Sequence, residues 1–263
     1  MNVRLNRLAG SVAQMRGTAA GTPRHLRGKG RILLDTALTG SDVDCSAVGA
    51  HSIPGTTINT IDSGANELIA TADGLVIDAA QDYARVWIPI ASYPAGALLC
   101  VSVQIEPMVI SHQYGLIEVQ LAQATGSTDT QRDQRCSLRA STASNVRMFV
   151  GARGSSSFSM SYKGDNPAFG TGSLPSRLQL EMISWGRASQ STIGVGTDPT
   201  RYATPPAASA NMAALVQSGS GTTAQVKGSL PVFTALRIGA KGYNASGQCK
   251  IRVRHITIEA FGV

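Results

Sequence analysis

From Gly30 onward the chain alternates apolar and polar residues in short runs separated by Gly, Pro, Asn and Ser. Leu178, Leu180 and Met182 fall on one side of such a run, with Gln179 and Glu181 on the other. Val101, Val103 and Ile105 alternate in the same way with Ser102 and Gln104. A half-buried strand needs this period of two, because successive side chains point to opposite faces. Strands are therefore predicted over residues 31–38, 56–61, 75–78, 84–90, 98–105 and 115–122. Further strands are predicted over 136–140, 146–150, 158–162, 177–185, 235–240 and 250–261. In the last run Ile251 and Val253 keep the alternation, whereas Ile256 and Ile258 continue it out of phase. One extra residue near Arg254 or His255 restores the apolar face, which predicts a β-bulge there. With no persistent helical period, the pattern gives an all-β chain, an antiparallel sandwich of two sheets.

Two stretches break the rhythm. Residues 45–54 read as a long loop. Residues 186–231 are poor in charge, rich in Ala, Ser, Thr, Gly and Pro, and carry Pro205-Pro206. They read as an irregular insertion, with one short helix over 207–216, that wraps the surface or meets a neighbour. Structureless loops of that length are uncommon unless functional. The chain thus divides into an N-terminal arm, residues 1–31, and a β-sandwich domain, residues 32–263.

Charge sharpens that division. The net charge of +7 is concentrated at the front, where seven basic residues precede the first acid, Asp35. From Asp35 onward 16 basic residues face 16 acids. The arm has too little apolar surface to order itself, so an acidic partner must offset the cost of ordering it. Val3, Leu5, Leu8, Val12 and Met15 recur at roughly helical spacing, with Arg4, Arg7 and Arg16 mostly off that stripe. An extended connector follows, carrying Arg24, Arg27, Lys29 and Arg31 among glycines. The docking residues expected from this pattern are Arg4, Leu5, Arg7, Leu8, Val12, Arg16, Arg24, Arg27, Lys29 and Arg31. The apolar stripe beside arginines, without an aromatic residue for base stacking, favours a protein partner over nucleic acid. No apolar run approaches the length of a membrane helix, and residues 1–17 lack the apolar centre of a secretory signal. A nearly uncharged body is a poor free solute, which points to a docked component of an assembly.

Leu236-Arg-Ile238-Gly239-Ala, a turn over 242–247, and Ile251-Arg-Val253-Arg-His-Ile256-Thr-Ile258 resemble the closing hairpin of concanavalin-like, laminin-G-like jelly rolls. That family is frequent in glycan-binding modules and in virion proteins of tailed bacteriophages. The resemblance implies a jelly-roll sandwich and a virion protein made in the host cytoplasm. The implied role is a decoration, fibre or tail-associated subunit, docked through its arm to other virion proteins and homo-oligomeric. The alternative it implies is a glycan-binding module for host-surface attachment. Acidic residues are frequent in the family's final strand, where this chain has Arg252 and Arg254, so metal and sugar ligands are not carried over.

Catalytic chemistry is not expected. Glu67, Glu106, Glu118, Glu181 and Glu259 are isolated from one another, without the paired carboxylates of a glycosidase. No Gly-x-Ser-x-Gly elbow occurs, and His25, His51, His112 and His255 have no zinc-ligand spacing. Asp42 and Asp44 read as a surface turn, and Gly28-Lys29-Gly30 lacks the spacing of a phosphate loop. Cys45, Cys100, Cys136 and Cys249 lack paired spacing and are expected to be reduced, with Cys100 and Cys249 as small core residues. No enzyme activity, cofactor or metal is therefore expected. Lys163-Gly-Asp165-Asn166-Pro167 reads as a turn, and Tyr162, Asp165 and Asn166 are the residues there that could contact a glycan. Trp87 and Trp185, flanked by apolar residues, read as core anchors.

Overall fold

The computed structural model describes residues 30–62, 67–80, 82–111, 115–123, 232–242 and 247–261, together with the strand backbones at 133–141, 145–153, 158–166, 178–185, 188–195 and 223–225. In chain order the strands are β1 (Arg31–Thr36), β2 (Val43–Asp44), β3 (Gly49–Ile53), β4 (Thr56–Asp62), β5 (Glu67–Thr71) and β6 (Gly74–Ala79). There follow β7 (Tyr83–Pro89), β8 (Leu98–Ile110), β9 (Leu116–Ala122), β10 (Asp133–Ser141), β11 (Asn145–Arg153) and β12 (Phe158–Asn166). The last are β13 (Leu178–Trp185), β14 (Ala188–Val195), β15 (Thr223–Gln225), β16 (Ala235–Lys241) and β17 (Cys249–Phe261). All twelve runs marked by alternation are strands.

They form two antiparallel sheets, a sandwich of jelly-roll type. The first has the order β15-β14-β13-β8-β17-β6-β5-β2, with β1 also on β17; the second has the order β12-β11-β10-β9-β16-β7-β4-β3. Ile77, Val101, Val103, Ile251 and Ile258 of the first sheet share one buried cluster with Val86, Ile88, Val119, Leu121 and Ile238 of the second. Each of these positions alternates with a polar or aromatic one on the outer face, so the period of two in the sequence becomes the division between core and surface.

β17 carries the bulge. Its register against β8 shifts between Val253 and His255, which leaves Arg254 as the extra residue. On its other side β17 pairs with β6 from Cys249 to Val253 and with β1 from Ile256 to Ala260, so its neighbour changes at the bulge. Gly74 opens β6 at that point with φ of +132°, and a Cβ there would overlap the Val253 carbonyl. The backbone needs glycine there for both conformation and space.

Five strands were not legible as alternation. Residues 45–54 are not one long loop: β3 occupies 49–53, turned back onto β4 through Pro54 and Gly55, with only Ile53 buried. An edge strand with so little burial leaves no apolar period to read. β5 is short and was passed over, and β2 contributes two residues against it. The stretch 186–231 is not irregular throughout, since β14 pairs along the whole of β13 and β15 pairs with β14. β14 reads ASQSTIGV, and its order comes from a ladder with β13, a tertiary term that its composition does not carry. The short helix expected over 207–216 lies outside the described residues.

Candidate functional site

Of the ten docking residues expected on the arm, Arg31 alone lies among the described residues. It begins β1 opposite Ala260, and its guanidinium donates to the Ser92 carbonyl. The Gly30 amide donates to Glu259 Oε2 at 3.1 Å. Gly30 and Arg31 are thereby tied to the first sheet and to the segment after β7. Arg4, Leu5, Arg7, Leu8, Val12, Arg16, Arg24, Arg27 and Lys29 lie outside the described residues.

The expected turn at Lys163–Asn166 is instead the end of β12, the edge strand of the second sheet. Asn166, Asp165, Lys163 and Tyr162 stand opposite Val146, Arg147, Met148 and Phe149 of β11, which leaves Gly164 as an extra residue. Polar tips read as a turn, but pairing with β11 continues through them. The extra glycine has a positional effect. Arg147 and Phe149 are two apart on β11, so Tyr162 and Asp165, although three apart in sequence, take register positions on one face.

That face is the outer one of the second sheet. On β7, Ala84, Val86 and Ile88 are buried in the core, which sends Tyr83, Arg85 and Trp87 to the outside. On β16 the outward positions are Arg237, Gly239 and Lys241, and on β9 they include Glu118 and Gln120. Trp87 is therefore not a core anchor: it is half-buried on the outer face, and its apolar neighbours in sequence occupy the other side of the strand. The side chain of Trp185 lies outside the described residues.

The register lines up Asn59, Trp87, Arg237 and Gln120 across β4, β7, β16 and β9. At about 4.8 Å between strands the row spans about 14 Å. Its β16–β9 end is deeply buried although it faces away from the core: Arg237 is 2% exposed and Gln120 0%. Arg237 Nη1 donates to Gln120 Oε1 at 3.1 Å, and Gln120 Nε2 has no hydrogen-bond partner among the described residues. In the adjoining row Arg85 and Glu118 flank Gly239 and are also buried. A Cβ on Gly239 would overlap Arg85 Cγ and approach the Ala84 carbonyl oxygen to 2.9 Å, so glycine lets the Arg85 stem lie across β16. The Tyr83 ring is taken up by cations, with Arg85 at 4.3 Å and Lys241 at 4.4 Å from its centroid. No such contact occupies Trp87 among the described residues. Tyr162 and Asp165 share this sheet but lie in rows that reach β7 only across β11, β10, β9 and β16, about 24 Å away.

The outer face of the first sheet is closed by ion pairs. Glu106 Oε2 accepts from Arg254 Nε at 2.9 Å and from Arg252 Nη1 at 3.1 Å. Burial opposes ionisation of Glu106, but the hydrogen bonds and charges of Arg254 and Arg252 outweigh it and hold its carboxyl below the usual value. Lys250 Nζ lies 3.0 Å from Asp78, which also accepts from Gln248 Nε2 at 2.8 and 2.9 Å. His255 Nε2 meets Asp35 Oδ1 at 2.8 Å and ties β1 to β17. The final-strand arginines that depart from the jelly-roll pattern thus have carboxylates of this chain as partners.

Cys45, Cys100 and Cys249 are buried thiols outside any disulfide, and burial pushes the Cys249 thiol up to about 12. Asp44 accepts from the Ser46 amide at 2.9 Å in a local turn beside Asp42, whose φ is +56°. No group of three metal-ligating side chains converges among the described residues.

No family model matches the chain, and no curated protein matches it. Solved structures align with much of the chain. The CBM2 module of the Lactobacillus casei BL23 phage J-1 evolved Dit aligns over 87% of this chain and 95% of its own, at 9% identity and a TM-score of 0.48. The exoplasmic/lumenal domain of VIP36, in its metal-free form, aligns over 83% of this chain and 90% of its own, at 9% identity and a TM-score of 0.47. The botulinum neurotoxin serotype D binding domain aligns at 8% identity and a TM-score of 0.47 over 87% of this chain, which spans 48% of that domain.

Proposed function

We propose that this protein is a non-enzymatic binding module that takes a glycan on the outer face of its second sheet. The observation that carries this reading is the row Asn59, Trp87, Arg237 and Gln120. It places a half-buried indole, with no cation contact among the described residues, between an amide and a buried guanidinium–amide pair. A sugar ring offers an apolar C–H face, which suits an indole, and rim hydroxyls, which need donors and acceptors beside it. The unpaired Gln120 Nε2 leaves a buried donor unsatisfied. Such a group costs about 1–3 kcal/mol.

Glycan binding should be measured by calorimetry or on an array with the full chain and with Trp87→Ala. We expect saturable binding by the full chain that weakens at least about tenfold in the variant, as loss of a central aromatic contact does. Trp87 lies outside the core cluster, so the variant should keep the fold. A wild-type protein that binds nothing across a broad panel overturns the reading.

A second reading is favoured by the charge of the arm, seven basic residues before the first acid. The module would be a structural part of a phage particle, a decoration, fibre or tail-associated subunit, anchored by that arm in an acidic groove of a neighbouring virion protein. Anchoring and glycan binding use different parts of the chain and are compatible. Co-sedimentation with particles that lack the protein tests the anchor. The full chain should sediment and a chain beginning at Gly30 should not; equal sedimentation of both removes the arm from the interface.

A further inference from the structure

The two sides of Trp87 present different chemistry. Towards β16 and β9 the row ends in Arg237 and Gln120, both buried. The cations on that side are already engaged. Arg237 donates to Gln120, Arg85 and Lys241 lie over the Tyr83 ring, and Lys241 also pairs with Asp82 at 3.9 Å. In the other direction the row runs through Asn59 of β4 to Ala50 of β3 and so reaches the edge of the sheet. Ile53 and Ile58 take inward positions in the core cluster, so Ala50, Ser52, Thr57 and Asn59 face outward with Trp87. Asn59 is half-buried, and the other three are exposed.

This open side is polar but uncharged. Residues 45–61, which hold all of β3 and all of β4 except its last residue, contain no Lys, Arg, Asp or Glu. His51 alternates to the other side of β3, with Nε2 2.7 Å from the Ala47 carbonyl oxygen. The inward hydroxyl of Thr60 donates to the Cys45 carbonyl at 2.6 Å. The outward side chains of Ser52, Thr57 and Asn59, by contrast, have no hydrogen-bond partner among the described residues. Two hydroxyls and an amide are therefore available there as donors and acceptors. Ala50 is small, which leaves space above β3 on this side of the indole.

Resting on the glycan reading above, we infer that the ligand is an uncharged glycan, bound from Trp87 outward over β4 and β3, with Asn59 as its principal hydrogen-bonding side chain. The hydroxyls of a neutral sugar exchange water for the Asn59 amide and the Thr57 and Ser52 hydroxyls while a ring lies on the indole. A carboxylate or phosphate held in the same place loses its water with no cation of β3 or β4 to replace it, which is unfavourable.

The test uses the full chain as wild type, Trp87→Ala, Asn59→Ala and, on the other side of the indole, Lys241→Ala, with a thermal melt to confirm that each variant is folded. The probes are mannan, galactan, a soluble β-glucan and polygalacturonate, each at low and physiological salt. We expect at least one neutral polymer to bind, with an affinity that salt changes by less than about twofold. That affinity should fall about fivefold to tenfold in Trp87→Ala and in Asn59→Ala but not in Lys241→Ala. Polygalacturonate bound more tightly than every neutral polymer, and weakened by Trp87→Ala, overturns the inference and leaves the glycan reading standing. Neutral binding that falls in Trp87→Ala but is unchanged in Asn59→Ala, or that falls in Lys241→Ala instead, overturns the placement over β4 and β3 and also leaves the glycan reading standing. If no neutral polymer binds, and polygalacturonate either fails to bind or binds wild type and Trp87→Ala equally, both readings fall, because binding of the latter kind belongs to the basic arm.

Discussion

At the residue scale, which side of a strand a side chain takes decides its role. Trp87 lies between Val86 and Ile88, and on composition alone it reads as core. Those two neighbours take the inward positions of β7, so the indole must face out. Cys249 has the opposite environment, buried in the core, with its Sγ near the Leu116 carbonyl oxygen at 3.5 Å. Its thiol, raised to about 12, should resist alkylation in the folded protein at pH 8 and react at once in denaturant. Mass spectrometry of iodoacetamide-treated protein checks this, and rapid native labelling at Cys249 would show that the strand opens readily. Glu106 supplies a pH dependence. Its folded carboxyl is held below the ordinary 4.5, so its contribution to stability is present above that value and disappears as pH falls through the folded value. Denaturant melts between about pH 5 and 3 should show wild type losing more stability than Glu106→Gln. Equal losses would mean that the Arg252 and Arg254 contacts carry no net stability.

At the element scale, β17 depends on a single extra residue. Deleting Arg254 would put Ile256, Ile258 and Ala260 out of phase with Cys249, Ile251 and Val253, sending one set to solvent. Moving even two such side chains costs several kcal/mol, about 1.5–3 each. The deletion should therefore yield protein without a cooperative melt, whereas Arg254→Ala should melt within a few degrees of wild type; a folded deletion mutant would show that the bulge can migrate. Gly74, which leaves room for the Val253 carbonyl, makes the same point from β6. The bulge was legible because a phase break in an apolar period has one simple remedy. The strand β3 was not, because an edge strand has little burial to record and is held by hydrogen bonds to its neighbour, and β14 was not, because its order comes from the ladders with β13 and β15.

At the scale of the whole molecule, the Gly30 amide meets Glu259 and Arg31 reaches Ser92. A chain beginning at Gly30 should keep the melting temperature of the full chain to within about 2 °C, since no residue of the described core cluster precedes Leu33. A large drop by calorimetry would mean that the arm packs on the body. The sequence by itself determined the all-β class, the antiparallel sandwich, the bulge and the division between basic arm and near-neutral body. Each of these is written in spacing or charge along one dimension. Only the tertiary structure decided that Trp87 joins Arg237 and Gln120 in one row and that Tyr162 and Asp165 stand apart from it. Those arrangements depend on which strands become neighbours, and residues as far apart as Asn59 and Arg237 are brought together by pairings that no local pattern records.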